Sequence, residues 1–238
     1  MEKRGWGVGG GACGGGACPY TGVVPTIRRH SPETGATEAI ARAVADLIKP
    51  GDCVRLVGEL GAGKTTLVRG VAAAMGCDPG LVNSPTFVMI NEYDGARAKL
   101  VHVDAYRLRS PDDLEALGWD RYTGDPRAIM LVEWPERIDA ALPPADRCLT
   151  VTIAHDSPTS RSITMDVPES WRDRAAFAAF VERDPVRCPT TRVWVAPTAA
   201  TYPFADDRAR LADLNKWFTE SYSLPRAMNA DEDEESLG

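Results

Sequence analysis

An α/β domain, with a largely parallel sheet flanked by helices and an extra C-terminal extension, is the fold this chain predicts. Three observations carry that expectation. Short apolar runs at Cys53–Val57 and Ala128–Val132 have the pattern of strands buried on both faces. Segments with apolar residues at helical spacing alternate with them, the first through Ile40, Val44, Leu47 and Ile48. A glycine-rich turn joins the first of these runs to a helical pattern from about Lys64 to Met75. Strands alternating with helices fold as layers around one sheet.

The elements follow in chain order. Residues 1–22 are glycine-rich and of low complexity, so a flexible N-terminus is expected. Residues 23–172 form the main domain. Within it, Ser31-Pro32-Glu33 reads as a helix start, an oxygen cap followed by proline at the first helical position. Pro50-Gly51-Asp52 breaks that helix before the strand at Cys53. Phe87–Tyr93 and Lys99–Val103 read as two strands, and Asp94-Gly95 between them signals a hairpin. Ser110-Pro111-Asp112-Asp113 has capping-box spacing and predicts a helix with Leu114 and Leu117 on one face. Strands are expected at Ala128–Val132, near 148–154 and near 162–167. Residues 173–228 are an extension of mixed signals, in which Leu211, Leu214, Trp217 and Phe218 follow helical spacing; that stripe would dock on the main domain or on a partner, and docking at home is the more common outcome. Residues 229–238 read as a solvated acidic tail.

Composition narrows the function classes. The chain has 238 residues, 44% hydrophobic and 26% charged, a soluble globular balance. No apolar run is long enough to span a bilayer. The first twenty residues contain no apolar stretch of the secretory kind, so a cytoplasmic protein with reduced thiols is expected. The six cysteines include no CxxC pair, and Cys13 and Cys18 lack a matching pair nearby, which argues against a zinc site there. The net charge is -7. A broad nucleic-acid grip needs a basic face, so autonomous DNA or RNA binding is not expected.

One motif carries the chemistry. Gly58-Glu59-Leu60-Gly61-Ala62-Gly63-Lys64-Thr65 fits GxxxxGKT in full, after an apolar strand and before a helix. Glycines let backbone N–H groups curl around an anion, and the following helix N-terminus adds unpaired donors and partial positive charge. Lys64 is placed to reach the β- and γ-phosphates and the Thr65 hydroxyl to ligate Mg²⁺, so a P-loop NTPase-like domain with ATP and Mg²⁺ as cofactors is predicted. Such a loop needs acids on neighbouring strands. Asp104 follows Leu100–Val103 and Glu133 follows Ile129–Val132, both at strand ends where ligands of open α/β sheets gather. No NKxD segment exists to read guanine; Asn215-Lys216-Trp217-Phe218 lacks the Asp, which disfavours a GTPase. Ser84-Pro85-Thr86-Phe87 lies where many P-loop proteins carry a γ-phosphate sensor, and is otherwise an ordinary Ser-Pro turn.

The ordered motifs GELGAGKTTLVRG, SPTF, HVDAYRL and LVEWPER, within about residues 30–168, closely resemble the TsaE (YjeE) family. The resemblance implies a small P-loop ATPase of the machinery that makes threonylcarbamoyladenosine in tRNA, acting with the TsaB–TsaD complex and touching tRNA only through it. It implies that Glu59, Leu60, Gly61, Ala62, Gly63, Lys64, Thr65 and Thr66 hold the nucleotide. Thr65 and Glu133 would bind the metal, and Lys64, Asp104 and Glu133 would carry catalysis. Thr86 would lie near the γ-phosphate, Trp134 beside the site, Glu33 near the base, and Arg161 against the nucleotide unless it is a surface arginine. Both ends of the chain exceed the usual family length, and Ala105 stands where a larger apolar residue is common. No arginine finger stands in the motifs, so hydrolysis is expected to be weak without a partner. Two other readings fit the same loop: a small-molecule kinase, and an ATP-gated binding module whose hydrolysis is incidental.

Overall fold

A computed structural model describes residues 25–85, 89–110 and 112–221. Thr86 and Phe87, the 1–22 segment and the acidic tail lie outside the described residues. The main sheet has seven strands: β1 (Thr26–Ser31), β2 (Cys53–Val57), β3 (Ile90–Asp94), β4 (Lys99–Asp104), β5 (Ala128–Glu133), β6 (Cys148–His155) and β7 (Arg161–Asp166). Their order is β1-β7-β6-β2-β5-β4-β3. The four central strands, β6-β2-β5-β4, are parallel, and both edges are antiparallel. Central strands buried on both faces need continuous apolar sequence, and all six residues of β5 are buried.

Helices cover both faces. α1 (Thr34–Leu47) and α2 (Lys64–Met75) share a core with Val54, Leu56, Leu100, Ile129 and Leu131. On the opposite face, α3 (Asp112–Glu115) and α4 (Trp119–Thr123) cover Cys53, Val101, Val103, Met130 and Val132. The period-2 alternation along β4 and β5 divides the two cores. It also assigns His102, Asp104 and Glu133 to the α1–α2 face, in step with Leu100, Ile129 and Leu131. α1 and α2 run side by side in the same direction: Gly70 lies so close to Ala41 that an added Cβ would sit 2.6 Å from the Ala41 Cβ. Further along, Arg97, whose N–H reaches the Met75 carbonyl, bonds Asp46 of α1.

Several sequence expectations are corrected. Ser31 ends strand β1 instead of capping a helix; its hydroxyl bonds Thr37 and the Glu33 carbonyl, and α1 starts at Thr34 with Glu33 before it. The helix expected after Ser110 lasts one turn, although half of its box forms: the Asp113 carboxylate accepts from the Ser110 and Arg109 N–H groups. Gly118 at φ 75° ends that run before α4. The first hairpin strand begins at Ile90, and Met89 precedes it at φ 65°.

The extension continues the core before forming a unit of its own. Phe180 of α5 (Phe177–Glu182) is buried with α1, and Arg29 of β1 donates to the carbonyls of Phe180, Val181 and Arg183, capping that helix end. A small antiparallel pair follows, β8 (Val186–Arg187) with β9 (Trp194–Val195), then α6 (Asp207–Ser221). Cys188, Val195 and Ala209 form the buried centre of this unit. The stripe expected to dock at home does not: Leu211 and Trp217 are 59% and 62% exposed, because Ala209 is the position of α6 that turns into that centre. Among the described residues, no helix is long and apolar enough to cross a membrane.

The Cys188 thiol gives this unit a pH dependence. Burial pushes the thiol up, but hydrogen bonds from Thr191, Ala205 and Thr190 outweigh it and bring it down to about 7, from 9.0. A depressed acid stabilises the fold above its unfolded value and loses that contribution as pH falls through its folded value. The unit is therefore expected to gain stability between pH 7 and pH 9. Hydrogen exchange of α6 across that range reads the gain, and Cys188→Ala should flatten it.

Candidate nucleotide-binding site

The glycine-rich loop leaves β2 and enters α2. Gly61 and Gly63 take φ of 77° and 109°, left-handed conformations that favour glycine. A Cβ at Gly58 would lie 2.4 Å from the Ile153 carbonyl oxygen, so only glycine fits against β6. Leu60 stands 89% exposed at the tip. Lys64 and Thr65 occupy the first turn of α2, where backbone N–H groups have no helical partner. The Lys64 ammonium donates to the loop's own carbonyls, Gly58 at 2.8 Å and Glu59 at 2.9 Å. Burial pushes it below the usual lysine range, and the Glu133 and Asp104 carboxylates partly offset that.

The two strand-end acids are neighbours, because Asp104 pairs with Glu133 in the β4–β5 register. Glu133 Oε1 accepts from the Thr65 hydroxyl at 2.8 Å and faces His102 Nε2 at 3.0 Å. His102 is fully buried and its Nδ1 has no hydrogen-bond partner, which suits the tautomer whose Nε2–H donates to the carboxylate. Asp104 accepts from the Ser84 hydroxyl and the Tyr106 N–H, both at 3.0 Å. Trp134 sits at φ 58°, a costly conformation for a bulky residue. That turn places its ring 4.4 Å from Lys64 Nζ and 5.2 Å from the Tyr106 ring. The start of α2, a hydroxyl, an oriented carboxylate and a lysine thus meet at the carboxyl end of the sheet.

Residues 31–163 match the family model described as threonylcarbamoyl adenosine biosynthesis protein TsaE. The chain belongs to the TsaE family. The Bacillus subtilis relative, named tRNA threonylcarbamoyladenosine biosynthesis protein TsaE, is 41% identical over 128 residues, which cover 54% of this chain and 77% of the relative. The Aquifex aeolicus TsaE is 40% identical over 102 residues, 42% of this chain and 71% of that one. A crystal structure of YdiB from Bacillus subtilis is 33% identical with a TM-score of 0.49, covering 62% of this chain and 89% of that one. Residues 186–236 match a second model, described as DNA gyrase inhibitor YacG.

Of the residues that the TsaE resemblance singles out, the structure brings Lys64, Thr65, Asp104, Glu133 and Trp134 together. Thr66 follows them in α2. Arg161 lies behind the loop: its Nε donates to the Ala62 carbonyl at 2.9 Å and its Nη1 to Ser160 and Ser157 of the preceding turn. Glu33 is held by Arg187 and Trp194 of the C-terminal unit. Thr86 lies outside the described residues. Sequence reasoning missed His102. The signal was there, since His102 follows Leu100 on the core-facing side of β4, where a buried polar side chain needs a partner.

Proposed function

We propose that this TsaE-family chain binds and hydrolyses Mg-ATP in the synthesis of threonylcarbamoyladenosine in tRNA, weakly alone and effectively with a TsaB–TsaD complex. The observation that carries this is the convergence of Thr65, Glu133 and His102 beside Lys64. Thr65 Oγ1 and Glu133 Oε1 lie 2.8 Å apart, close to the roughly 2.9 Å between adjacent oxygens around an octahedral Mg²⁺. Among the described residues no cluster of three metal-binding His, Cys, Asp or Glu exists. A Mg²⁺ site would need only one carboxylate, a hydroxyl and phosphate oxygens. When bound, the ion would neutralise charge on the transferred phosphoryl group.

The chain's own groups do the rest. Lys64 exchanges its two carbonyl partners for phosphate oxygens. Backbone donors of the loop and of the α2 N-terminus hold the polyphosphate. His102 fixes the rotamer of Glu133. Asp104 ties Ser84 to the site. Trp134 covers Lys64 and excludes water from one side. No arginine finger is needed for binding, and intrinsic hydrolysis should be weak until a partner completes or reshapes the site.

Glu133→Ala should bind nucleotide yet lose hydrolysis by about 100-fold. Phosphate release, with and without TsaB–TsaD, reads this directly. A small-molecule kinase would instead pass phosphate to an acceptor in a metabolite screen. If the variant still supported repeated rounds of tRNA modification, ATP would act as a gate and hydrolysis would be incidental.

The C-terminal unit supports a second activity. Its match to the YacG model and the exposed Leu211, Leu214 and Trp217 of α6 favour a protein-binding role. DNA gyrase, named in that model's description, is the expected partner. The full chain should slow gyrase supercoiling in vitro, and Trp217→Ala should relieve the effect. Full supercoiling at saturating chain would remove this reading.

A further inference from the structure

Glu33 lies where the nucleotide end of the sheet meets the C-terminal unit. α1 and α2 run in the same direction, so Glu33, just before α1, is at the same end as Lys64. From the edge of the sheet, Ser31 pairs with Arg161, which reaches the Ala62 carbonyl of the loop. The sheet order gives the nucleotide a direction. Glu133 and Asp104 end β5 and β4 on one side of the loop, while β6, β7 and β1 lie on the other. A nucleotide whose terminal phosphate meets Thr65 and Glu133 therefore extends its base toward the β7–β1 side, where Glu33 stands.

The C-terminal unit grips that carboxylate. Arg187 Nη2 donates to Glu33 Oε1 at 2.6 Å, and Trp194 Nε1 donates to the same oxygen. Arg187 and Trp194 are cross-strand partners of β8 and β9, and the guanidinium lies 5.0 Å from the indole. The contact is built in along α1. A Cβ at Gly35 would lie 2.8 Å from Trp194 Cδ1, so glycine is what admits the indole. Arg42 donates to the Trp194 carbonyl at 2.8 Å, and Thr198 to Asp46 at 2.7 Å. An isolated exposed ion pair orders little; two donors on one oxygen, backed by a packed indole, fix the carboxylate and direct Oε2 elsewhere.

We propose that Arg187 and Trp194 are positioning residues for purine recognition: the C-terminal unit orients Glu33 so that Oε2 accepts the exocyclic amine of adenine. At the same place guanine presents a carbonyl oxygen, which a carboxylate repels. This rests on the nucleotide reading of the glycine-rich loop. It gives the appended unit a role in the chemistry of the main domain, because ATP selectivity then depends on residues 154 and 161 positions from Glu33 in sequence and in direct contact with it in space.

The test measures affinity of the full chain for Mg-ATP and Mg-GTP by calorimetry. Trp194→Phe keeps the ring against Gly35 and removes the N–H; Arg187→Gln removes the charge. Each should weaken ATP about tenfold and leave GTP unchanged, as loss of one hydrogen bond to a charged group predicts. In a Glu33→Gln background, neither should have a further effect. A purely structural role would weaken both nucleotides equally, and unchanged ATP affinity in both variants would also overturn the proposal. Absence of any ATP heat in the unsubstituted chain would instead sink the nucleotide reading itself, so the two failures are separable.

Discussion

Lys64→Ala is expected to weaken Mg-ATP binding by at least about 100-fold while leaving the melting temperature of the nucleotide-free chain nearly unchanged. The ammonium is a buried cation facing the Glu133 and Asp104 carboxylates, and burial already pushes it below its usual range. Two charge-assisted hydrogen bonds to phosphate are worth ~3 kcal/mol or more, which is that factor in affinity. Stability behaves differently. Without nucleotide, Lys64 donates only to Gly58 and Glu59 carbonyls. Removing it frees those acceptors near the loop surface, relieves the cost of a buried charge, and improves helix propensity at the start of α2. Calorimetry paired with thermal melting separates the effects, and undiminished ATP heat in the variant would refute the role of the loop.

Arg174→Ala should produce the largest loss of stability, about 3–5 kcal/mol and roughly 10 °C in melting temperature. Arg174 donates to both carboxylate oxygens of Asp52 and to the Leu47 carbonyl at 2.9 Å, and lies 3.7 Å from the ring of buried Trp171. Its side chain is 14% exposed and that of Asp52 5%. Asp52 also accepts from the Lys49 N–H, so it shapes the turn between α1 and β2. Truncating Arg174 leaves that carboxylate buried without its cation, which is why the penalty exceeds that of a surface pair. A melting shift of only 1–2 °C would show that water or another side chain replaces it.

What could be read directly was local. The strand at Cys53–Val57, the loop and the helix from Lys64 to Met75 lie within a short stretch, and each limit is set by neighbouring residues. Asp104 and Glu133 were legible because each ends an apolar run. β1 was not: Arg28 and Arg29 interrupt its apolar pattern, and its partner β7 lies more than a hundred residues away. The short α3 was misjudged because capping chemistry marks where a helix starts, whereas Gly118 decided where this one stopped. The hold on Glu33 spans 154 and 161 positions, and nothing in a linear pattern joins a carboxylate to an indole at that separation. The exposure of Leu211 and Trp217 was missed for a related reason: helical spacing reports a stripe, and only the packing of Ala209 reveals which way it faces.

Asp104 holds both ends of one loop. Its carboxylate takes the Ser84 hydroxyl, and its own N–H reaches the Met89 carbonyl at 3.0 Å. Its cross-strand neighbour Glu133 terminates a strand packed on every side. Glu133 is therefore mounted on a strand buried along its whole length, and the acid next to it serves as a clasp. A displacement of that clasp is therefore delivered to Ser84 and to Met89 together, while Glu133 keeps its place on the strand.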